Sequence, residues 1–185
     1  MRLIKTMQTM SDPDIGVWFL DEVLFHLHGS SCRMWTSPEN KQPQMLFHPT
    51  RKSIDFFGAG RPWDGRFVFM PCMTMFNAET FSDFLYHLSW CSPGRRMVLI
   101  LDNARYHHAN MLDQWKRSNL EIELAYLLQY SPDLNPIERV WKLTRKESTH
   151  NRYFNDLEGL KMAVIHRFAR WTDTGEVLRR LCAVN

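Results

Sequence analysis

The sequence predicts an α/β domain in which a mixed central sheet is flanked by helices. Three strand-like stretches follow one another in the first half of the chain, and helices and strands then alternate to its end. This order of elements is typical of an α/β domain with a mixed sheet. With 185 residues, of which 44% are hydrophobic, the chain is long enough to bury one substantial core.

The first three strands are predicted from dense runs of β-branched, aromatic and aliphatic residues. The run GVWFLDEVLFHLHG at 16–29 indicates a central strand, and SIDFFGAG at 53–60 and RFVFMPC at 66–72 indicate two more. The segment between the last two contains Asp64 and Gly65, a pair that favours a turn. We therefore expect the three strands to form an antiparallel meander.

The second half of the chain alternates between helical and strand patterns. Apolar residues at helical spacing predict a helix over 77–90, whose start Asn77 or Thr80 could cap. The continuously apolar run RRMVLILDNA at 95–104 indicates a strand buried on both faces. The same patterns predict, in order, a helix over 107–119, a strand over 122–131, and helices over 135–149, 155–171 and 174–183.

Basic residues are concentrated toward the carboxyl terminus. Residues 139–185 contain 10 Lys and Arg against 5 Asp and Glu, although the net charge of the chain is only +3. A basic segment suits a polyanionic partner, but a solvated helix face would explain it equally well. The four cysteines are scattered, and no stretch has the pattern of a signal peptide or a membrane span. We therefore expect a cytoplasmic protein in a reducing environment.

Three acidic residues occupy positions that need a chemical reason. Asp21 interrupts an apolar strand face, Asp102 ends an apolar strand, and Glu138 lies in a helix 36 residues later. A buried carboxylate is costly unless it is hydrogen-bonded, paired or bound to a metal. Singly, Asp21 could be a paired core acid and Asp102 a turn residue with Asn103. Together, the three could converge at the edge where open α/β sheets place ligands and bind divalent cations there.

The segment NPIE, which ends in Glu138, allows two interpretations of that acid. Asn135 can cap a helix and Pro136 suits its first position, so Glu138 could complete a capping box by bonding back to the Asn135 amide. Alternatively, Asn135 caps the helix alone and leaves Glu138 free to point toward Asp21 and Asp102.

Three blocks of the sequence resemble the signature blocks of DDE transposase catalytic domains. These blocks are VWFLDEVLFHL, MVLILDNARYHHA and YSPDLNPIERVWKLTRK, and the resemblance extends from about residue 16 to 171. The group it matches is the bacterial insertion-sequence group related to the mariner superfamily, also described as DDE-superfamily endonucleases. The resemblance implies a single ribonuclease-H-like catalytic domain over residues 1–185. It also implies cutting of transposon-end DNA and joining of the 3′-hydroxyl to target DNA, with two Mg²⁺ or Mn²⁺ ions supporting in-line transfer.

By this resemblance, Asp21, Asp102 and Glu138 match the first, second and third catalytic acids and would bind the metal ions. Asn103 and His107 match the family's DN…H block and would support the site. Glu22 adjoins Asp21, but strand alternation places it on the opposite face of the sheet, so we expect Asp21 to be the ligand.

Some neighbouring residues have less certain roles. Lys142 and Arg145 follow Glu138 on nearly the same helix face, where they could contact DNA phosphates or be solvated charges. Trp141 is expected to pack in the core. Asp133 lies in the turn before the helix and is not expected to be the third acid.

The resemblance also implies partners. Related transposases carry helix-turn-helix modules before this domain, which this chain lacks, so we expect a separate polypeptide to supply them or the chain to be a fragment. We further expect DNA as substrate, a homodimer or higher assembly on DNA, a location with the bacterial nucleoid, and no membrane association.

Two other functions remain open, namely a ribonuclease-H-like nuclease that only hydrolyses and an inactive remnant that binds DNA or a partner. We expect Asp102→Asn to abolish cleavage. We also expect this change to leave the thermal midpoint unchanged or higher, because it removes a repelling charge.

Overall fold

The computed structural model describes residues 15–33, 35–39, 44, 46, 49–93, 96–128, 134–173 and 175–182. Five strands form a mixed sheet in the order β3-β2-β1-β4-β5. The strands are β1 (Ile15–His26), β2 (Ser53–Arg61), β3 (Arg66–Cys72), β4 (Arg96–Leu101) and β5 (Ile122–Tyr126). The helices are α1 (Ala78–Cys91), α2 (Met111–Ser118), α3 (Ile137–Thr144), α4 (Leu157–Asp173) and α5 (Gly175–Leu181). The predicted α/β class and the mixed sheet are confirmed.

The predicted meander is present, because β1 pairs antiparallel with β2 and β2 pairs antiparallel with β3. The turn between β2 and β3 is stabilised by Asp64, whose carboxylate accepts a hydrogen bond from Arg61 Nε at 2.9 Å. Gly65 completes this turn with φ +71°, a conformation that favours glycine. Strand β4 then pairs parallel with β1, and β5 pairs parallel with β4.

Side chains of β1 alternate between two cores, one on each face of the sheet. Trp18 and Leu20 pack in a core that includes the buried side chains of α1 and α2. Val23 and Phe25 pack in a second core, against α3, α4 and α5. This alternation, with a period of two residues, places consecutive side chains near residue 21 on opposite faces.

Helix α1 begins with a capping box in which Asn77 accepts from the Thr80 amide at 3.0 Å and Thr80 Oγ1 accepts from the Asn77 amide at 3.1 Å. Both residues that could start this helix take part in the capping box, Asn77 as the N-cap and Thr80 as the third residue of the helix. The predicted helix over 107–119 is wrong at its start. Residues Arg105–His108 form a 3₁₀ turn, and Ala109 has extended backbone angles that separate this turn from α2.

Two other predicted boundaries differ from the structure. Strand β5 ends at Tyr126, and residues 129–133 lie outside the described part of the chain. The predicted helix over 135–149 is α-helical only to Thr144 and continues as a π-helical turn over Arg145–Thr149. No helix within the described ranges is long and apolar enough to cross a membrane. The four cysteines are free thiols.

Candidate active site

Two of the predicted acids lie at the same level of neighbouring strands. Strands β1 and β4 are parallel neighbours whose pairing extends to Phe19 and Ile100. Asp21 and Asp102 each lie two residues beyond that pair. Asp102 therefore follows the carboxyl end of β4, and Asp21 lies beside that end, within β1, which continues to His26. The charges of both also raise the pKa of the Tyr106 hydroxyl, after larger effects from burial and Glu22.

Asp21 lies on the face of the sheet that packs against α3. Its Oδ2 atom accepts a hydrogen bond of 2.9 Å from the Trp141 indole Nε1. Burial, followed by the charges of Glu22 and Glu138, raises the pKa of Asp21 to about 7 against the opposing effect of the indole hydrogen bond. Among the described residues, no basic side chain forms an ion pair with Asp21. The ionised form of Asp21 is therefore not stabilised by any neighbouring positive charge among the described residues.

Glu138 lies in the first turn of α3, where its charge acts on Asp21. Asn135 accepts from the Ile137 amide at 3.3 Å through Oδ1 and donates to the Leu20 carbonyl at 2.9 Å through Nδ2. Within the described part of the chain, no side-chain hydrogen bond joins Glu138 to the Asn135 amide, so the capping box is not formed. Pro136 is the residue at the N-cap, Asn135 bonds to the Ile137 amide from just before it, and the Glu138 carboxylate does not take part in the helix start.

Asp102 is stabilised as a carboxylate by its surroundings. Its Oδ1 atom lies 3.1 Å from His107 Nδ1 and accepts from the Ala104 amide at 3.0 Å. The hydrogen bond with His107 lowers the pKa of Asp102. The prediction that Asp102→Asn would leave the thermal midpoint unchanged or raised is therefore wrong in its physical basis, because this charge is attracted rather than repelled. Of the two aspartates, Asp21 is the one under repulsion.

Glu22 points to the opposite face from Asp21, as strand alternation predicts. Its Oε1 atom accepts from the Tyr106 hydroxyl and lies 3.2 Å from His107 Nε2. The His107 side chain is thus held between two carboxylates and is only 1% exposed. Burial lowers the pKa of His107, but the hydrogen bonds to Asp102 and Glu22 outweigh this effect and raise it to about 9. At neutral pH, His107 is an imidazolium that donates through both nitrogens.

The same three side chains are also close enough to surround a metal ion. Ligand atoms of Glu22, Asp102 and His107 all lie within 4.8 Å of one another. An imidazole that donates to both carboxylates has no free lone pair, so a metal ion bound here would have to displace one of its protons. The uncompensated acid is Asp21, and carboxylate oxygens are the ligands that Mg²⁺ and Mn²⁺ prefer. Asp21 and Glu138 are not part of the group within 4.8 Å, so the described residues do not bring the three predicted acids that close together, and a shared cation at Asp21, Asp102 and Glu138 stays a prediction.

The remaining predicted residues have contacts of their own. Asn103 Oδ1 lies 2.6 Å from His108 Nε2, a contact within the loop that follows β4. Lys142 is exposed on α3, whereas Arg145 is partly buried with its guanidinium 5.7 Å from the centre of the Phe25 ring. The residues of the predicted turn at 130–133, including Asp133, lie outside the described residues.

Sequence reasoning missed two contacting side chains. Tyr106 was not singled out, although it directly precedes His107 in the DNARYHH block. Trp141 was expected to pack in the core, and it does so, but its indole also reaches Asp21. Its position three residues after Glu138, on a neighbouring part of the same helix face, was the available signal.

Comparison with solved structures identifies proteins of the same fold. The Mos1 mariner paired end complex with Mn aligns with a TM-score of 0.71 and 18% identity, covering 98% of this chain and 55% of that chain. The Mos1 strand transfer complex aligns with a TM-score of 0.70 and 18% identity, covering 98% and 54%. The catalytic domain of Mos1 mariner transposase aligns with a TM-score of 0.58 and 14% identity, covering 98% and 85%. The sheet and its flanking helices thus form a ribonuclease-H-like fold.

Sequence comparison gives two further matches. An uncharacterized protein, y4pE/y4sA of Sinorhizobium fredii (strain NBRC 101917 / NGR234), is 37% identical over 78 residues, covering 42% of this chain and 53% of that protein. The match thus spans about half the length of this relative. A family profile described as DDE superfamily endonuclease matches residues 16–161. Because this match covers most of the 185 residues, the chain belongs to the DDE superfamily endonucleases, the transposase family that its three sequence blocks resemble.

Proposed function

We propose that this chain cuts DNA phosphodiesters at transposon ends and transfers the released 3′-hydroxyl to target DNA. Membership of the DDE superfamily and the fold shared with Mos1, which is known in paired-end and strand-transfer complexes, support the proposal. The observation that carries it is that Asp21 has a raised pKa and forms no ion pair with a basic side chain among the described residues. This acid lies level with Asp102 on the neighbouring strand, and the charge of Glu138 contributes to its raised pKa.

We propose that Asp21, Asp102 and Glu138 hold two divalent cations, Mg²⁺ or Mn²⁺. When bound, such cations would activate the attacking oxygen and stabilise the leaving oxygen of an in-line displacement. The Mos1 structures include complexes with Mn and with Mg, which supports the choice of ion. A bound cation would also supply the positive charge that the surroundings of Asp21 lack.

The protein's own contribution is to orient its carboxylates before DNA arrives. His107 keeps a proton on Nδ1 and donates it toward Asp102 Oδ1, which holds Asp102 ionised. The other ring proton, on Nε2, is directed at Glu22, whose Oε1 also accepts from Tyr106. His107 therefore cannot turn without losing both partners. Fixed carboxylates need little reorganisation during phosphoryl transfer.

Binding of DNA is proposed to use the basic face that begins in α3. Lys142 is exposed one turn after Glu138, so it is suited to contact a phosphate near the cleavage position. The Arg145 guanidinium stacks on the Phe25 ring, which fixes its position, and from there its positive charge would attract DNA phosphates. We further propose that two chains act together on DNA and that helix-turn-helix modules are supplied from outside this domain.

The test is incubation with Mg²⁺ or Mn²⁺ and labelled duplexes made from the DNA that borders the coding sequence. We expect metal-dependent nicks with 3′-hydroxyl ends, followed by joined products. Asp21→Asn, Asp102→Asn and Glu138→Gln should each lower product formation at least about 100-fold, as expected when groups that organise developing charge are lost. Glu123→Gln, an exposed acid of β5, is the matched control and should retain activity.

Three results would contradict parts of this proposal. Nicks without joined products would indicate a nuclease that only hydrolyses. DNA binding without any cleavage, with a helix-turn-helix module supplied by fusion, would indicate an inactive remnant. Cleavage by Asp21→Asn at the wild-type rate would overturn the assignment of the site.

A further inference from the structure

The indole of Trp141 differs from those of the other buried tryptophans. Trp18, Trp115, Trp141 and Trp171 are all at most 2% exposed. Nε1 of Trp18, Trp115 and Trp171 has no hydrogen-bond partner among the described residues, whereas Nε1 of Trp141 donates to Asp21 Oδ2 at 2.9 Å. A hydrogen bond to a carboxylate is stronger than one between neutral groups and restricts the geometry of the acceptor.

The sheet provides a dedicated space for this ring. Gly58 of β2 is the direct cross-strand partner of Asp21. A Cβ atom at Gly58 would overlap Cη2 of Trp141 and lie 3.0 Å from its Cζ2 atom. Two residues further along the same face, a Cβ atom at Gly60 would meet only Ile137, at an ordinary 3.9 Å. Glycine at position 58 is therefore required by the close approach of the indole.

Helix α3 connects this contact to the third acid. Trp141 follows Glu138 by three residues, so both project from neighbouring positions on the helix. The start of the helix is bound to β1 through the Asn135 side chain, which donates to the carbonyl of Leu20, the residue before Asp21. One rigid helix thus carries Glu138 and also contacts the strand that carries Asp21.

We propose that Trp141 is a positioning residue for the cation site. Its indole N–H holds Oδ2 of Asp21, and Gly58 provides the space that the ring needs to reach it. This inference rests on the proposed function, because the role of Asp21 as a metal ligand is part of that proposal. The simpler alternative is that Trp141 only fills the core, as its edge-on contact with Phe67 also indicates.

The first test uses the wild-type protein and the indole ¹H–¹⁵N resonances of its seven tryptophans. Trp141→Phe and Trp171→Phe each remove one resonance and so assign it. On titration with Mg²⁺, we expect the Trp141 resonance to shift and the Trp171 resonance to stay unchanged. Asp21→Asn should abolish the shift. A Trp141 resonance that does not move while Mg²⁺ binds would overturn the inference.

The second test compares Mn²⁺ affinity, measured by electron paramagnetic resonance, between two matched variants. Trp141→Phe and Trp171→Phe remove the same atoms from rings that both contact Phe67 and Phe168, but only the first loses a donor to Asp21. We expect Trp141→Phe to weaken Mn²⁺ binding about tenfold or more, as for other residues that orient metal ligands, and Trp171→Phe to leave it within about twofold. Equal affinities would refute the positioning role.

Glycine substitutions provide a third comparison that leaves the indole in place. Gly58→Ala should displace the Trp141 ring and weaken Mn²⁺ binding, as Trp141→Phe does. Gly60→Ala should leave Mn²⁺ binding unchanged. The outcomes also separate this inference from the proposed function. If wild-type protein shows no Mn²⁺ binding that Asp21→Asn removes, the proposed metal site fails. If wild type binds and Trp141→Phe binds equally well, only the role of Trp141 fails.

Discussion

Asp21 and Asp102 lie at the same level of two neighbouring strands, yet their surroundings shift their pKa values in opposite directions. The pKa of Asp21 is raised to about 7 because burial and two neighbouring acids disfavour its charged form. The pKa of Asp102 is lowered because His107 donates a hydrogen bond to its carboxylate. The sequence indicated that both acids were unusual, but only the side-chain partners distinguish the repelled acid from the attracted one.

The raised pKa of Asp21 predicts a pH-dependent cost to stability. The folded protein binds this proton more tightly than the unfolded chain, so metal-free stability falls as pH rises from about 4 to about 7. At pH 8, Asp21→Asn should therefore be more stable than wild type by roughly 2 to 4 kcal/mol, since each pKa unit corresponds to about 1.4 kcal/mol. Below pH 4 the two should be nearly equal.

Urea denaturation in EDTA at several pH values measures this difference. Asp83→Asn, which changes an exposed acid of α1, is the control and should show little pH-dependent gain. An Asp21→Asn variant that is no more stable than wild type at pH 8 would show that Asp21 is not under repulsion.

His107→Gln should have the opposite effect on stability. The change leaves Glu22 and Asp102 without their shared imidazolium, and we expect a loss of about 3 kcal/mol at pH 6 to 7. Because the folded pKa of His107 is raised to about 9, its contribution is complete below pH 6.5 and declines as pH rises through 9.

Urea denaturation at pH 6.5 and pH 10 tests the direction of this pH dependence. The difference between wild type and His107→Gln should be larger at the lower pH. The neighbouring His108→Gln, which changes an exposed ring, should cost little at either pH. A difference that grows with pH would contradict the assignment of a protonated His107.

Among the elements, helix α3 illustrates how a helix start can direct a functional side chain. Asn135, which directly precedes the N-cap Pro136, is 4% exposed, donates to the Leu20 carbonyl and accepts from the Ile137 amide. The sequence favoured Asn135 and Pro136 as a helix start, but it left open whether Glu138 would bond back. The attachment to β1 depends on how the helix packs on the sheet, which local sequence does not encode.

Asn135→Ala should weaken both the fold and the site. Loss of a hydrogen bond at a buried carbonyl is expected to cost about 1 to 3 kcal/mol, and Mn²⁺ affinity should fall because Glu138 is less well directed. Asn77→Ala, which removes the cap of α1 on the other face, should cost about 1 kcal/mol and leave Mn²⁺ affinity unchanged. Equal Mn²⁺ affinities for the two variants would argue against a directing role for the helix start.

Across the whole molecule, the two faces of the sheet carry different elements. Helices α1 and α2 cover one face, and α3, α4 and α5, which lie in the basic last part of the chain, cover the other. The concentration of Lys and Arg predicted a polyanionic partner or a solvated surface, and the fold places the exposed Lys142 on the helix that also carries Glu138. This arrangement favours the interpretation that the charge serves DNA binding.

Lys142→Glu should weaken DNA binding and reduce its salt dependence. Each lost phosphate contact lowers the slope of log K against log salt by about 0.9, so we expect a change of roughly one in fluorescence anisotropy titrations from 50 to 200 mM salt. Arg117→Glu, an exposed charge on α2, is the matched control. An equal loss for both variants would indicate only a general effect of net charge.

Sequence patterns were sufficient to predict the α/β class and the five strands, and they pointed to three acids whose role as metal ligands stays a prediction. Periodicity reports which residues are buried, and Asp is unfavourable enough in an apolar strand to be noticed there. Side-chain partners were not predictable in this way. The Trp141 indole reaches Asp21 across 120 positions of sequence, and Tyr106 reaches Glu22 across 84. Such contacts arise only when helices pack on the sheet, and they decide which acid is repelled and which is paired.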